Sequence, residues 1–255
     1  MTLFDISGKV AIVTGSSRGI GKAIAHRLAE HGASVVISSR NAVSCDEAAA
    51  EINAAVGREA AIAIAASISS KGDLQRLVAE TQERLGSIDI LVCNAASNPH
   101  FGSMATISDE QFSKTLQNNI ISNHWLAQMV APQMIAAGGG AIIIVSSIGG
   151  LKGSAEIGAY NISKAADFQL ARNLAVELGP QNIRVNCIAP GLIKTDFARA
   201  LWEDEATLKR VTSTAPLRRI GLPDEVAGAA AFLASPAGRY VTGQTVVVDG
   251  GMTIG

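Results

Sequence analysis

The sequence predicts one doubly wound α/β domain, a parallel sheet of about seven strands with helices on both faces. Three observations predict it. Short β-branched runs alternate with helix-period segments along the whole chain. The first run, residues 9–13, leads through a glycine-rich turn, residues 14–21, into a helical pattern that closes at Gly32. No repeat, low-complexity tract or linker interrupts the rhythm, so residues 1–255 are assigned to a single domain.

Each element has its own signal. Residues 34–38 read as the second strand, 59–65 as the third and 88–92 as the fourth. Residues 141–145, the most hydrophobic run, are placed at the sheet centre, and 184–188 and 245–249 complete the set. Helices are expected over 45–56 and 73–85, over 159–178 before Gly179 and Pro180, and from Pro223 onward. A capping box from Ser108 to Gln111 opens a long helix towards Val130. Asn118 and Asn119 fall inside that helix, where asparagine is a mediocre former and a solvent-facing pair is allowed. Residues 195–217 alone break the rhythm. They carry Phe197, Leu201 and Trp202 among charges beside the carboxyl edge of the sheet, so residues 192–217 are read as a lid or substrate-binding loop.

Composition narrows the class. A formal net charge of −1 with scattered basic residues leaves no electrostatic footprint for nucleic acid or an anionic membrane. No apolar run approaches membrane-spanning length. Cys45, Cys93 and Cys187 are widely spaced without a metal-ligand pattern, which predicts free thiols in a reducing compartment and no metal site. The opening residues lack the regions of a signal peptide and the closing ones are not a peroxisomal address, so a cytoplasmic protein is expected.

The turn after the first strand carries Gly15, Ser17, Arg18, Gly19, Ile20 and Gly21. Glycines spaced Gly-x-x-x-Gly-x-Gly let the backbone approach a pyrophosphate, whose charge the exposed N–H groups and the helix dipole then hold. A fold of this kind that prefers NAD carries an acid after its second strand to bond the ribose hydroxyls. Here Ser39 and Arg40 occupy that place, and Arg18 lies in the turn. Guanidinium groups suit an adenosine 2′-phosphate in charge and geometry, so NADP(H) is the expected cofactor.

Tyr160 and Lys164 stand four positions apart in a segment of good helix formers, which places both on one helical face. A free tyrosine, with a pKa of about 10, is a poor proton donor or acceptor near neutrality. A neighbouring ammonium favours the phenolate and makes general acid–base work effective.

Taken with Cys93-Asn-Ala-Ala96 after the fourth strand and Ser147 after the fifth, these features resemble the classical short-chain dehydrogenase/reductase family over essentially the whole chain. Within it the chain is most similar to the animal NADPH-dependent carbonyl and retinal reductases. The resemblance implies a Rossmann-type fold and an oxidoreductase interconverting a ketone or aldehyde and its alcohol. It makes Tyr160 the general acid/base, Ser147 a hydrogen-bond donor to the substrate oxygen, and Lys164 the group that binds the nicotinamide ribose. It implies that Asn119 holds a water linking Lys164 to solvent, and that Asn94 and Ala95 support the adenine side. Pro190, Gly191, Ile193 and Thr195 would contact the carboxamide and phosphates. Two departures stand out: Ala96 in the asparagine motif, and Ser67 where many members carry an aspartate touching the adenine. A homotetramer is also implied, with helices 109–130 and 159–178 pairing across a two-fold axis.

Phe101, Leu151, Leu192, Phe197 and Trp202 are expected to wall the substrate site and suggest an apolar or aromatic group, whereas His100 and Glu156 suit something polar. A 3-oxoacyl-carrier-protein reductase is the alternative within the enzyme class. It needs a basic patch, for which Arg199, Lys209, Arg210, Arg218 and Arg219 are available. A non-catalytic NADP(H) sensor is the alternative outside it; such proteins tend to lose the serine, tyrosine or lysine, all present here.

Overall fold

Along the first strand, β1 (Val10–Thr14), Val10 and Ile12 enter one apolar cluster while Ala11 and Val13 enter another, because successive side chains leave opposite faces of a sheet. The same division holds for the whole molecule. The computed structural model describes residues 2–254, with the side chains of Ala200 and Arg210 outside the described residues. The further strands are β2 (Ser34–Ser38), β3 (Ala61–Ala63), β4 (Ile90–Cys93), β5 (Gly140–Val145), β6 (Ile183–Pro190) and β7 (Thr245–Val248). They form one seven-stranded sheet in the order β3-β2-β1-β4-β5-β6-β7, every neighbouring pair parallel.

Helices α1 (Gly19–Glu30), α2 (Ala42–Val56) and α9 (Pro223–Ala234) cover one face through Ile24, Leu28, Ile52, Val226 and Leu233. Helices α3 (Lys71–Leu85), α5 (Ser122–Ala136) and α6 (Gly158–Leu178) cover the other through Leu74, Leu77, Leu126, Val130, Phe168 and Leu174. A parallel sheet covered on both faces explains why its strands read as continuous apolar runs. The strand order reverses between β1 and β4, which opens a crevice at their carboxyl ends.

Three boundaries differ from expectation. The third strand is confined to Ala61–Ala63, and at its start the Asn53 side chain takes the N–H groups of Ala60 and Ala61 at 2.8 and 2.7 Å. The long helix is not one α-helix: α4 (Asp109–Leu116) passes through a π-helical turn, Gln117–Ile121, into α5 and ends at Ala136. Widening that turn buries Asn118 and Asn119 instead of presenting them to solvent. Finally, residues 192–217 hold two short helices, α7 (Arg199–Trp202) and α8 (Glu205–Thr212), after the buried Ile193. Among the described residues no helix is long and apolar enough to cross a membrane, and no cluster of three or more metal-ligating side chains is present. Cys45, Cys93 and Cys187 are all buried free thiols.

Candidate active site

The crevice is closed at its base by a polar seam between β1 and β4. Thr14 Oγ1 accepts the N–H groups of Asn94 and Ala95 at 3.0 and 3.1 Å, and Asn94 Nδ2 donates to the carbonyls of Thr14 and Gly15 at 2.9 and 3.1 Å. Asn94, readable from sequence as a simple turn residue, is therefore the rivet of the switch point. The turn above it has no room for side chains. A Cβ on Gly21 would lie 2.4 Å from the Gly15 carbonyl oxygen, and Gly15 adopts a φ of +64° with its own missing Cβ 2.9 Å from Ala95. A cleft of about 1590 Å³ opens from this cradle. That exceeds the roughly 300–1,000 Å³ of a pocket for a drug-sized ligand.

The inner end of the cleft is set by α6. Tyr160 and Lys164 both line it, with the Lys164 ammonium 5.7 Å from the centroid of the Tyr160 ring. Lys164 is otherwise buried. Its Nζ donates to the Val145 carbonyl at 2.9 Å and to Asp167 Oδ2 at 3.1 Å. Burial works against this ammonium, but Asp167 and the Tyr160 phenol outweigh it and hold Lys164 above the ordinary lysine range. The neighbouring Ser146 hydroxyl anchors α6 to β5 by donating to the Lys164 carbonyl at 2.7 Å. Ser147 follows the strand, and its Oγ accepts the Gly149 N–H at 3.0 Å, which leaves the hydroxyl hydrogen to donate elsewhere.

Asparagines from the π-turn lock the loop after β4. Asn119 Nδ2 donates to the Ser97 carbonyl at 3.0 Å and to Ser163 Oγ at 2.9 Å, while its Oδ1 accepts the Ser97 N–H at 2.8 Å. Asn118 donates to Ser97 Oγ at 2.9 Å and accepts from Ser69 Oγ at 2.8 Å.

At the outer end Ser17, Arg18, Ser39 and Arg40 line the cleft together with the acidic Glu47 and Glu51. Lys22 pairs with Glu51. Arg18 Nη1 lies 3.4 Å from Asp196 Oδ2, which ties the glycine turn to the segment after β6. Thr195 presses on the same turn, since a Cβ on Gly19 would lie 3.3 Å from its Cγ2. Phe197 stacks at 6.1 Å from the Tyr160 ring, tilted by 37°.

A family model described as enoyl-(acyl carrier protein) reductase matches residues 15–253. Dehydrogenase/reductase SDR family member 4 of Oryctolagus cuniculus is 45% identical over 249 residues, 96% of this chain and 94% of the relative. The protein of the same name from Caenorhabditis elegans is 42% identical over 248 residues, 96% and 95% of the two chains. The chain belongs to the short-chain dehydrogenase/reductase family. Two solved members superpose closely. A gluconate 5-dehydrogenase from Burkholderia cenocepacia J2315, in complex with NADP and tartrate, has a TM-score of 0.93 at 34% identity, covering 99% and 98% of the two chains. A 7α-hydroxysteroid dehydrogenase complexed with NADH and 7-oxo glycochenodeoxycholic acid has a TM-score of 0.92 at 38% identity, covering 98% and 96%.

Of the residues that family resemblance singles out, the structure gathers Gly15, Ser17, Arg18, Gly19, Ile20, Arg40, Asn94, Ala95, Tyr160, Lys164, Thr195 and Phe197 around one cleft. Others do not line it. Gly21 sits beneath the cradle, and Gly191 abuts Asp249, whose Cα would lie 2.8 Å from an added Cβ. Pro190 ends β6, Leu192 accepts the Gly221 N–H at 3.0 Å and Ile193 is buried, so these form the stalk of the loop. Phe101, Leu151 and Trp202, expected as substrate walls, are not among the residues lining this cleft. Phe101 and Leu151 are 68% and 48% exposed at the surface. The Trp202 indole N–H donates to the Thr195 carbonyl at 2.8 Å, and its ring lies 5.4 Å from the Lys194 ammonium. Asn119 spends both amide hydrogens on Ser97 and Ser163. Ser97, Asn123, Asp167 and Asp196 were not singled out from sequence. For Asp167 a signal existed, an acid three residues after Lys164 among the core positions Phe168, Ala171 and Leu174.

Proposed function

We propose that this oxidoreductase is NADP(H)-dependent and interconverts a ketone or aldehyde and its alcohol, with Tyr160 as general acid/base. The observation that carries the reading is the Tyr160–Lys164 face of α6 at the inner end of a cleft whose outer end has Arg18 in the glycine turn and Ser39 and Arg40, with no acid, directly after β2. A dinucleotide fits the residues present. The side-chain-free cradle at Gly15 and Gly21 admits a pyrophosphate to the backbone, and two guanidinium groups suit a 2′-phosphate.

NADP(H), when bound, supplies or receives the hydride; the chain handles position and proton. In reduction, Tyr160 gives its phenolic proton to the carbonyl oxygen while Ser147 donates a hydrogen bond to it, so the two form a small oxyanion site. The Lys164 ammonium supports the developing phenolate. Asn119 acts by holding Ser97 and hence the loop after β4 against the cleft. Residues 192–217 bring Thr195 and Phe197 over the cleft and set the shape of the substrate site, with Phe197 as its apolar wall. Residues Ile121 and Ile135 around α5, and Ile162 and Val176 on α6, are exposed apolar side chains, which suits a homotetramer packed on these helices. Of the basic residues that the carrier-protein alternative needs, Arg199 is paired with Asp196 and Arg219 with Glu225; the Arg210 side chain lies outside the described residues.

The test is a panel of carbonyls and alcohols assayed by nicotinamide absorbance with both cofactors. Turnover of an apolar or aromatic carbonyl with NADPH is expected. A panel that turns over only with NADH would refute the cofactor assignment.

A further inference from the structure

Asp167, which pairs with Lys164 under the cleft, has no part in the chemistry described above. Lys164 and Asp167 are one helical turn apart on α6, their side chains 2% and 0% exposed, with Nζ 3.1 Å from Oδ2. An ammonium carries three hydrogens. Val145 takes one and Asp167 a second, which leaves one for the cleft that Lys164 also lines. The carboxylate is itself held from the neighbouring helix: Asn123 Nδ2 donates to Asp167 Oδ1 at 3.1 Å and to the Asn119 carbonyl at 2.6 Å. This ties the pair to the π-turn that carries Asn119.

The titratable groups facing the pair come from three elements. Tyr160 lies on α6, Cys93 ends β4, and Cys187, on β6, donates its thiol to the Asp167 carbonyl at 3.4 Å. Burial pushes both thiols well above the ordinary cysteine range, so they remain neutral and bring no counter-charge. Asp167 is the carboxyl group that Lys164 meets; burial pushes it above the usual carboxylate range, and Lys164, Asn123 and Ser146 act in the opposite sense to favour its charged form. Its neighbours on the core face, Phe168, Ala171 and Leu174, are apolar, so an acid here answers the amine and not the packing.

We infer that Asp167 is a positioning residue for Lys164: it keeps the buried amine protonated with no ligand present and leaves a single N–H directed at the cleft. An ammonium buried without a counter-ion gives up its proton several pH units early. Lys164 would then lose the charge that supports the Tyr160 phenolate. The inference rests on the proposed role of Lys164 for its consequence in turnover, but its deciding measurement needs neither substrate nor cofactor.

That measurement is the NMR titration of Lys164 in the full chain, labelled at the lysine Cε and free of ligand. In wild type the Lys164 signal is expected to stay at its ammonium position to at least about pH 10. Asp167→Asn preserves size and can still accept from Asn123. It is expected to lower the Lys164 midpoint by at least one pH unit, a tenfold or greater change in its ionisation constant. The alkaline limb of kcat/KM should move to lower pH by a similar amount. Equal midpoints in the two proteins would overturn the inference. So would a wild-type Lys164 that releases its proton below about pH 9, a result that stands even if Asp167→Asn does not fold. A chain inactive on every carbonyl tested would sink the proposed reaction and leave this titration as it is.

Discussion

At the inner end of the cleft Lys164 and Asp167 pair with 2% and 0% of their side chains exposed, whereas at the outer end Arg18 reaches Asp196 with 77% and 46% exposed. The chemical types are the same, a cation against a carboxylate. Their physics differs. Exposed pairs contribute about 0–1 kcal/mol, are screened by salt and give way to a better partner. Breaking a buried pair from one side costs about 3–5 kcal/mol, because the remaining charge has no water to turn to. The inner end is thus committed to one geometry, and the outer end is free to exchange Asp196 for a phosphate.

The sharpest test of this division is at Tyr160. Tyr160→Phe should lower kcat by about 10²–10⁴-fold while the dissociation constant for NADPH, read by nicotinamide fluorescence, changes by less than about threefold. Retention of more than about a tenth of wild-type turnover would remove the phenol from the mechanism.

Next comes the pair beneath it. Lys164→Met should destabilise the fold by about 3–5 kcal/mol in a denaturant titration and abolish turnover. Adding Asp167→Leu should recover most of the stability, since apolar groups replace both charges, and none of the turnover. If the single variant were as stable as wild type, the two ends of the cleft would not differ as described.

At the outer end the effects are smaller and adjustable. Ser39→Asp with Arg40→Ala should shift the NADPH-to-NADH ratio of kcat/KM by about 10–100-fold towards NADH with kcat little changed. The wild-type preference should shrink as salt is raised. A wild type that already favours NADH would end the argument from Arg18 and Arg40. Smallest is Trp202→Phe, which removes the hydrogen bond to Thr195 and weakens the ring's contact with Lys194. It should raise KM about fivefold or less, the value of one such bond, without altering the order of preferred substrates. A reordered preference would return Trp202 to the substrate wall.

Much of this was legible in the sequence where a signal is local. Strand period, glycine spacing and the Tyr160–Lys164 interval each lie within one element, and the sheet, cradle and α6 face formed as those patterns dictate. What escaped depends on contacts between distant elements. Nothing near Asn118 and Asn119 announces a π-turn, and their burial follows from where Ser97 and Ser69 arrive. An aromatic among charges on a loop, as at Trp202, suggests a ligand contact, and the sequence does not show what else it bonds. Its indole instead found the Thr195 carbonyl, a pairing that only the folded loop brings about. Asp167 escapes a sequence reading because an acid on a long helix is ordinarily solvated, and only the approach of Ser146, Cys187 on β6 and Asn123 makes it a core residue.

The strand order has a consequence for synthesis. β1 lies between β2 and β4, and the bonds that rivet it to β4 join residues about 80 positions apart. While residues 1–89 alone have emerged from the ribosome, β1 is an open edge of buried Val and Ile residues awaiting its partner. Non-local parallel pairing of this kind is slow, and the nascent half-sheet is exposed to wrong partners for as long as it lasts. A pause in translation before β4 would lengthen that interval, whereas the same pause after Cys93 would fall on a chain able to cover the edge, so the yield of folded protein should depend on where along the message the ribosome slows.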